Sequence, residues 1–207
     1  MSLTLYGVAA SRAARPLWML EELAVPYEHV NTHFLRGESR APKMLELNPN
    51  GRIPVLVDGD LVVWESMAIN LYLARRFGGP LAAADLAEEA HLLRWSFWAM
   101  TECEKDALAI LFLRFVLPAE QRKPELADAA EKALARPYAV LEAELDGREY
   151  LLGERFTVAD LNVASVLAWA AAAPRLGEAH PRTREWLRRC LGRPAQKKVR
   201  EMARAAR

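Results

Sequence analysis

Apolar residues follow two rhythms along this chain, and the rhythm changes near Pro80. Upstream, short apolar runs alternate with helix-spaced ones. Residues 3–6 form a short run suited to a strand. Over 16–24, Leu17, Leu20, Leu23 and Ala24 recur at helical spacing, with Glu21 and Glu22 on the other side. Residues 26–30 start again as a strand, and 43–47 suit one short helical turn. The runs 53–57 and 61–63 flank Asp58-Gly59-Asp60, and Asp-Gly between apolar runs signals a hairpin. Residues 66–77 return to helical spacing, with Ile69, Leu73 and Phe77 on one face and Gly78-Gly79-Pro80 as the stop. The order strand, helix, strand, short helix, hairpin, helix predicts a small α/β sheet domain.

Beyond Pro80 the alternating pattern disappears. Helical patterns rich in Ala, Leu, Glu and Arg cover 85–116, 125–145 and 157–172, with shorter ones over 182–191 and 194–206. The predicted class is therefore α/β plus all-α: a sheet domain over 1–79 and a helical bundle over 85–207, joined by a short seam.

Composition changes this picture little. Of the 207 residues, 52% are hydrophobic and 27% charged, which excludes a chain too polar to bury a core. The formal net charge of +1 gives no overall reason to expect nucleic acid or an anionic membrane as partner. That neutrality hides a division. Residues 182–207 carry ten Lys or Arg against two Glu, a net +8, so the remainder carries −7. The tail has one aromatic, Trp186, and no nucleic-acid module, so it reads as a solvated helix face. The apolar stretches 107–113 and 163–174 end at Arg114 and Arg175, short of the roughly 20 residues that span a bilayer. The N-terminus lacks the basic-then-apolar order of a signal peptide. Two cysteines, Cys103 and Cys190, without a CxxC, give no disulfide framework and fit a reducing compartment. A soluble, cytoplasmic protein is expected. His29, His33, His91 and His180 lack metal-ligand spacing, so no metal is expected.

Three local signals carry candidate chemistry. The first is Asn48-Pro49-Asn50-Gly51-Arg52-Ile53-Pro54-Val55-Leu56, a turn that feeds straight into a strand. Pro54 lacks an N–H for the ladder, so it belongs at an edge or a strand start. A cis Ile53–Pro54 bond would turn the Ile53 backbone groups away from the sheet. Cis is a minority state of about 5% of X–Pro bonds, so the residues alone favour a trans proline. The second signal is Glu65-Ser66 before Met67-Ala68-Ile69. Ser66 suits an N-cap. The same helix end could hold a carboxylate, with Glu65 beside it for an ammonium, a grip suited to an amino-acid head group. The third is Ser11, in the run Ala9 to Pro16 after the first strand. Pro16 is tolerated only in the first helical turn, which sets Ser11 at or just before a helix N-terminus. Ser11 is either a cap or a catalytic hydroxyl. No G-x-S-x-G elbow surrounds it, which argues against a serine hydrolase. Thr157-Val158-Ala159-Asp160 reads as a capping box, flanked by the staple pair Phe156 and Leu161, with a role in folding.

Together these residues resemble the cytosolic glutathione S-transferases, of the serine type and bacterial-like. The Asn-Pro-x-Gly-x-Ile-Pro-Val-Leu run, Glu65-Ser66 eleven residues beyond Pro54, and the stretch from Tyr150 to Asp160 carry the resemblance, which covers nearly the whole chain. It implies a thioredoxin-like N-terminal domain and an all-helical C-terminal domain. It implies glutathione as co-substrate, a small electrophile as second substrate, no metal, a homodimer and a role in detoxification. Pro54 would be the cis residue and Ile53 would pair its backbone with the cysteinyl part of glutathione. Glu65 and Ser66 would hold the γ-glutamyl end. Ser39, Arg40 and Arg52 fall where the glycyl carboxylate is bound. Ser11 would activate the thiol, with Tyr6 the runner-up hydroxyl. Trp98, Thr101, Glu102 and Phe112 would line the second substrate's pocket, expected between the domains. Other readings stay open: glutathione-dependent peroxide reduction or dehalogenation, or a non-catalytic binding protein of this fold.

Overall fold

The structure is a computed structural model that describes residues 3–171 and 173–205. Residues 172 and 206, the ends of two predicted helices, lie outside the described residues. The chain divides into two compact units. The first runs to Ala82 and resumes at Arg193; the second is Ala83–Gly192.

The first unit contains β1 (Leu3–Tyr6), α1 (Ala14–Leu23), β2 (Tyr27–Val30), α2 (Pro42–Leu47), β3 (Val55–Asp58), β4 (Leu61–Trp64) and α3 (Ser66–Phe77), in the predicted order. The four strands form one mixed sheet in the order β2-β1-β3-β4. β1 is parallel to β2 and antiparallel to β3, and β3 turns back on β4 through Gly59-Asp60. Leu5 pairs with Leu56 at the centre, and both are fully buried. Leu17 and Leu20 of α1 and Ile69 and Leu73 of α3, marked by the helical periodicity, complete this core together with Trp18, whereas Leu23 is half-buried and Ala24 and Phe77, expected on the same faces, are exposed. Asp58, the last residue of β3, accepts hydrogen bonds from Tyr72 Oη at 2.6 Å and Arg76 Nε at 2.5 Å, so the hairpin grips the later turns of α3.

One element lies elsewhere than expected. Helix α10, Pro194–Ala205, belongs to the first unit, not to the helical one. It packs on α1 and buries Val199. Arg193, just before it, donates from Nε and Nη2 to the two Glu22 oxygens at 2.7 and 2.8 Å. Lys198 Nζ donates to Glu21 at 2.7 Å. Periodicity marks a helix's apolar face but not the neighbour that covers it.

The second unit holds α4 (Leu86–Trp98), α5 (Glu104–Leu111), α6 (Pro124–Glu144), α7 (Val158–Leu167), α8 (Pro174–Ala179) and α9 (Pro181–Leu191). The single helical pattern over 85–116 is one helical stretch widened twice, by π turns at Ala99–Cys103 and Phe112–Val116. All ten residues of α7 are buried, as befits a central helix apolar on every side. Its start is a capping box made by Thr157 and Asp160, as the sequence indicates.

Candidate functional site

The first and third signals meet at the end of β1. There Gly7 has φ +146°, and a Cβ on it would sit 2.6 Å from Ala13 Cβ and 3.5 Å from Ile53 Cβ. Only glycine lets the turn fold back this closely. The Gly7 N–H donates to Val30 O at 3.0 Å, and His29 Nε2 lies 2.7 Å from Gly7 O. This pins the start of the turn that carries Ser11. Ser11 is half-buried and precedes the helix by more than expected: the N-cap of α1 is Ala13. Its hydroxyl donates to Val8 O at 2.7 Å and accepts the Ala13 N–H at 3.1 Å. Tyr6, half-buried, ends β1 between Val30 and Val55.

Asn48 builds the loop that reaches Gly7 from the other side. Buried at 3% exposure, it donates from Nδ2 to Arg52 O at 2.8 Å. Its Oδ1 accepts the Asn50 N–H at 3.1 Å and Asn50 Nδ2 at 2.9 Å. The loop thus held ends in a cis Ile53–Pro54 peptide, with the Ile53 side chain against Gly7. The residues taken alone favour trans; the resemblance implies cis. Gly51, at φ +61°, brings in a third segment. A Cβ there would meet Arg40 Cγ at 3.1 Å and Leu45 Cδ2 at 3.4 Å. Ser39, buried, and Arg40, exposed, therefore stand beside this loop, while the Arg52 side chain is exposed.

The start of α3 differs from the expectation. Ser66 is its first helical residue, and the N-cap is Glu65, which makes no side-chain cap. Glu65 holds φ 73° and ψ 116°, a conformation that costs a non-glycine residue about 1–3 kcal/mol. It is exposed, while Ser66 beneath it is buried. The Ser66 hydroxyl is met by Arg15, itself buried in the first turn of α1, whose Nη1 donates to Ser66 Oγ at 3.1 Å. Sequence reasoning gives Arg15 no role, and Asn48 none beyond membership of the turn before Pro54. The signal for Arg15 was an arginine set one turn before Trp18 and Met19 in an apolar helix.

The remaining candidates lie in the second unit. Trp98 ends α4, half-buried and edge-on to Trp95 at 5.0 Å. Thr101 and Glu102 are exposed on the first π turn, and Phe112 opens the second at 42% exposure. Cys103 is buried, and that burial, with Glu102 and Asp106 nearby, pushes its thiol up to about 12. It stays protonated at neutral pH and is a poor nucleophile. Among the described residues no three His, Cys, Asp or Glu side chains are grouped to hold a metal ion.

The family model for the glutathione S-transferase N-terminal domain matches residues 1–75, and that for the C-terminal domain matches 105–194. The chain belongs to the glutathione S-transferase family. It is 36% identical over 206 residues to maize glutathione S-transferase 3, covering 95% of this chain and 92% of that one. It is 31% identical over 201 residues to the glutathione S-transferase GstB of Escherichia coli K12, covering 95% and 97%. The solved structure of maize glutathione S-transferase I in complex with an atrazine glutathione conjugate has 30% identity and a TM-score of 0.87, covering 99% of each chain. For a glutathione S-transferase the first unit is thus the part that carries the Ser11, Pro54 and Ser66 segments.

Proposed function

We propose that this glutathione S-transferase binds glutathione on the first unit and activates its thiol as a thiolate for attack on an electrophilic carbon. One observation carries the reading. The Ser11 turn, the Ile53–Pro54 loop and the Ser39-Arg40 segment converge through Gly7 and Gly51. Within the same unit Arg15 links α1 to the first residue of α3.

The roles follow from chemistry. Ile53 offers backbone groups beside a proline that has no N–H of its own, which suits strand-like pairing with a peptide. Ser66 and the first N–H groups of α3 suit the γ-glutamyl carboxylate, and Glu65 suits its ammonium. Arg40 or Arg52, both exposed cations, serve the glycyl carboxylate, with Ser39 adjacent. Glutathione supplies the sulfur that bonds to the electrophile as the leaving group departs with its electron pair. A free thiol with pKa about 8.5 is a few per cent ionised at pH 7. Lowering it two units takes about 2.7 kcal/mol of preferential anion stabilisation. Ser11 contributes by turning its proton from the neutral Val8 carbonyl to the anionic sulfur, a stronger acceptor. The Ala13 N–H stays on the Ser11 oxygen and polarises it for that task. Tyr6 is the second choice for this donor.

Trp98, Thr101, Glu102 and Phe112 are the residues we assign to the electrophile. Their support is the pair of π turns, a helical irregularity frequent at functional sites. We further read the protein as a cytoplasmic homodimer with a detoxifying role; the part-exposed Leu61 and Trp64 of edge strand β4 are apolar surface of the kind assembly covers. Calorimetry with glutathione, then turnover of 1-chloro-2,4-dinitrobenzene, tests the main reading. Micromolar to millimolar binding with thiolate absorbance near neutral pH is expected. No binding to the wild-type protein overturns it. A peroxide tested alongside separates conjugation from peroxide reduction.

A further inference from the structure

Arg15 stands outside the motifs that point to glutathione, yet it is 2% exposed and touches one of their members. The direction of that contact is fixed by valence. A guanidinium carries five N–H donors and no acceptor, so Ser66 Oγ is the acceptor and its own proton points elsewhere. Ser66 is also the first residue of α3, where Glu65 supplies no side-chain cap to the helix N–H groups. A polarised hydroxyl proton and the positive end of a twelve-residue helix are therefore offered at one place. Both favour an anion.

We propose that Arg15 is a positioning residue of the glutathione site, holding the Ser66 hydroxyl as a donor toward the γ-glutamyl α-carboxylate. This rests on the glutathione-transferase reading above. Arg15 lies four residues beyond Ser11, at the start of α1, so the same residue ties the segment carrying the thiol-activating hydroxyl to the helix that anchors the far end of the ligand. A buried arginine that only staples α1 to α3 would affect all ligands of the site alike. One that positions Ser66 acts on the carboxylate alone.

The test compares two ligands: glutathione, and 4-aminobutyryl-Cys-Gly, which is glutathione without the γ-glutamyl α-carboxylate. Binding of each is measured by calorimetry, with competition for the weaker ligand, for wild type, Arg15→Met, Ser66→Ala and the double variant. Arg15→Met is expected to weaken glutathione at least tenfold and the analogue less than threefold. In the Ser66→Ala background the same change costs glutathione less than threefold. Equal weakening of both ligands, or an unchanged glutathione affinity, overturns the proposal. Arg15→Lys, which keeps charge and stem but loses the planar fork, carries the same two-ligand comparison if Arg15→Met does not fold. Wild type binding neither ligand would instead overturn the glutathione reading itself.

Discussion

Helices α3 and α7 both begin with buried polar side chains, and the two beginnings are built in opposite ways. At the start of α7, Asp160 is fully buried and both its oxygens are occupied. Oδ1 accepts the Leu151 N–H and Trp186 Nε1, each at 2.9 Å. Oδ2 accepts the Thr157 N–H at 2.9 Å and the Thr157 hydroxyl at 3.0 Å. Burial pushes this carboxyl up, against four donors that favour its ionised form. At the start of α3, Ser66 is equally buried, but its proton is uncommitted and the residue before it is strained and exposed. A closed network fixes a fold; an open one leaves hydrogen bonds to be completed by something that arrives. Residue type alone does not separate them, since Ser, Thr and Asp are cap residues in both roles.

The sharpest way to break this comparison is Asp160→Ala. It leaves four buried donors without an acceptor and is expected to cost about 3–5 kcal/mol of stability in urea denaturation. Whatever folds should keep its glutathione affinity, so a variant of normal stability that fails to bind would reverse the assignment. Ser11→Ala comes next. The bound thiol's pKa, followed by thiolate absorbance, should rise by about one to two units, or about 1.4–2.7 kcal/mol; full activity with a model electrophile would move the role to another hydroxyl. Ser66→Ala should weaken glutathione about tenfold, the loss of one hydrogen bond to a charged group, with a much smaller change in the unfolding midpoint. Thr157→Ala is the mirror case: about 1 kcal/mol of stability and no change in binding.

The smallest effect concerns how α3 is held at its other end. Hydrogen bonding from Tyr72, with the Arg76 guanidinium beside it, keeps the Asp58 carboxyl below the usual carboxylate range. A depressed folded pKa contributes stability above the unfolded value, about 3.9, and loses it as pH falls through the folded one. Denaturation from pH 7 down to 3 should therefore show a shallower acid loss in Asp58→Asn than in wild type. Equal slopes would mean that Asp58 contributes no pH-linked anchoring.

Much of this was written in the sequence because it is local. Short apolar runs, helical spacing, the Asp-Gly turn and the Thr157–Asp160 spacing each report residues close in sequence, and β1 to β4, α1, α3 and the capping box follow from them. Ser66 was read as a cap because a hydroxyl before an apolar helix usually is one; the chain instead starts the helix a residue early and puts Glu65 in the left-handed region. The π turns left no trace, since widening a helix by one residue hardly disturbs an apolar face. Short α8 has too few residues for a period to show. The contact of Arg15 with Ser66 spans 51 residues, beyond any windowed pattern. Gly7 and Gly51 were visible as glycines, but the close approaches they permit were not.

The return of α10 to α1 has a consequence for how the molecule is made. Arg193 meets Glu22 and Lys198 meets Glu21 across separations of 171 and 177 residues. The sheet unit, begun before the helical unit is synthesised, is therefore completed only by residues translated after it. Until then one flank of α1 is bare, and the rings that close span 171 and 177 residues. Closures of this span are slow to find. A fragment cut at the apparent boundary near Ala82 would lack α10, so any transplant of this unit into another protein must carry the segment from Arg193 as well.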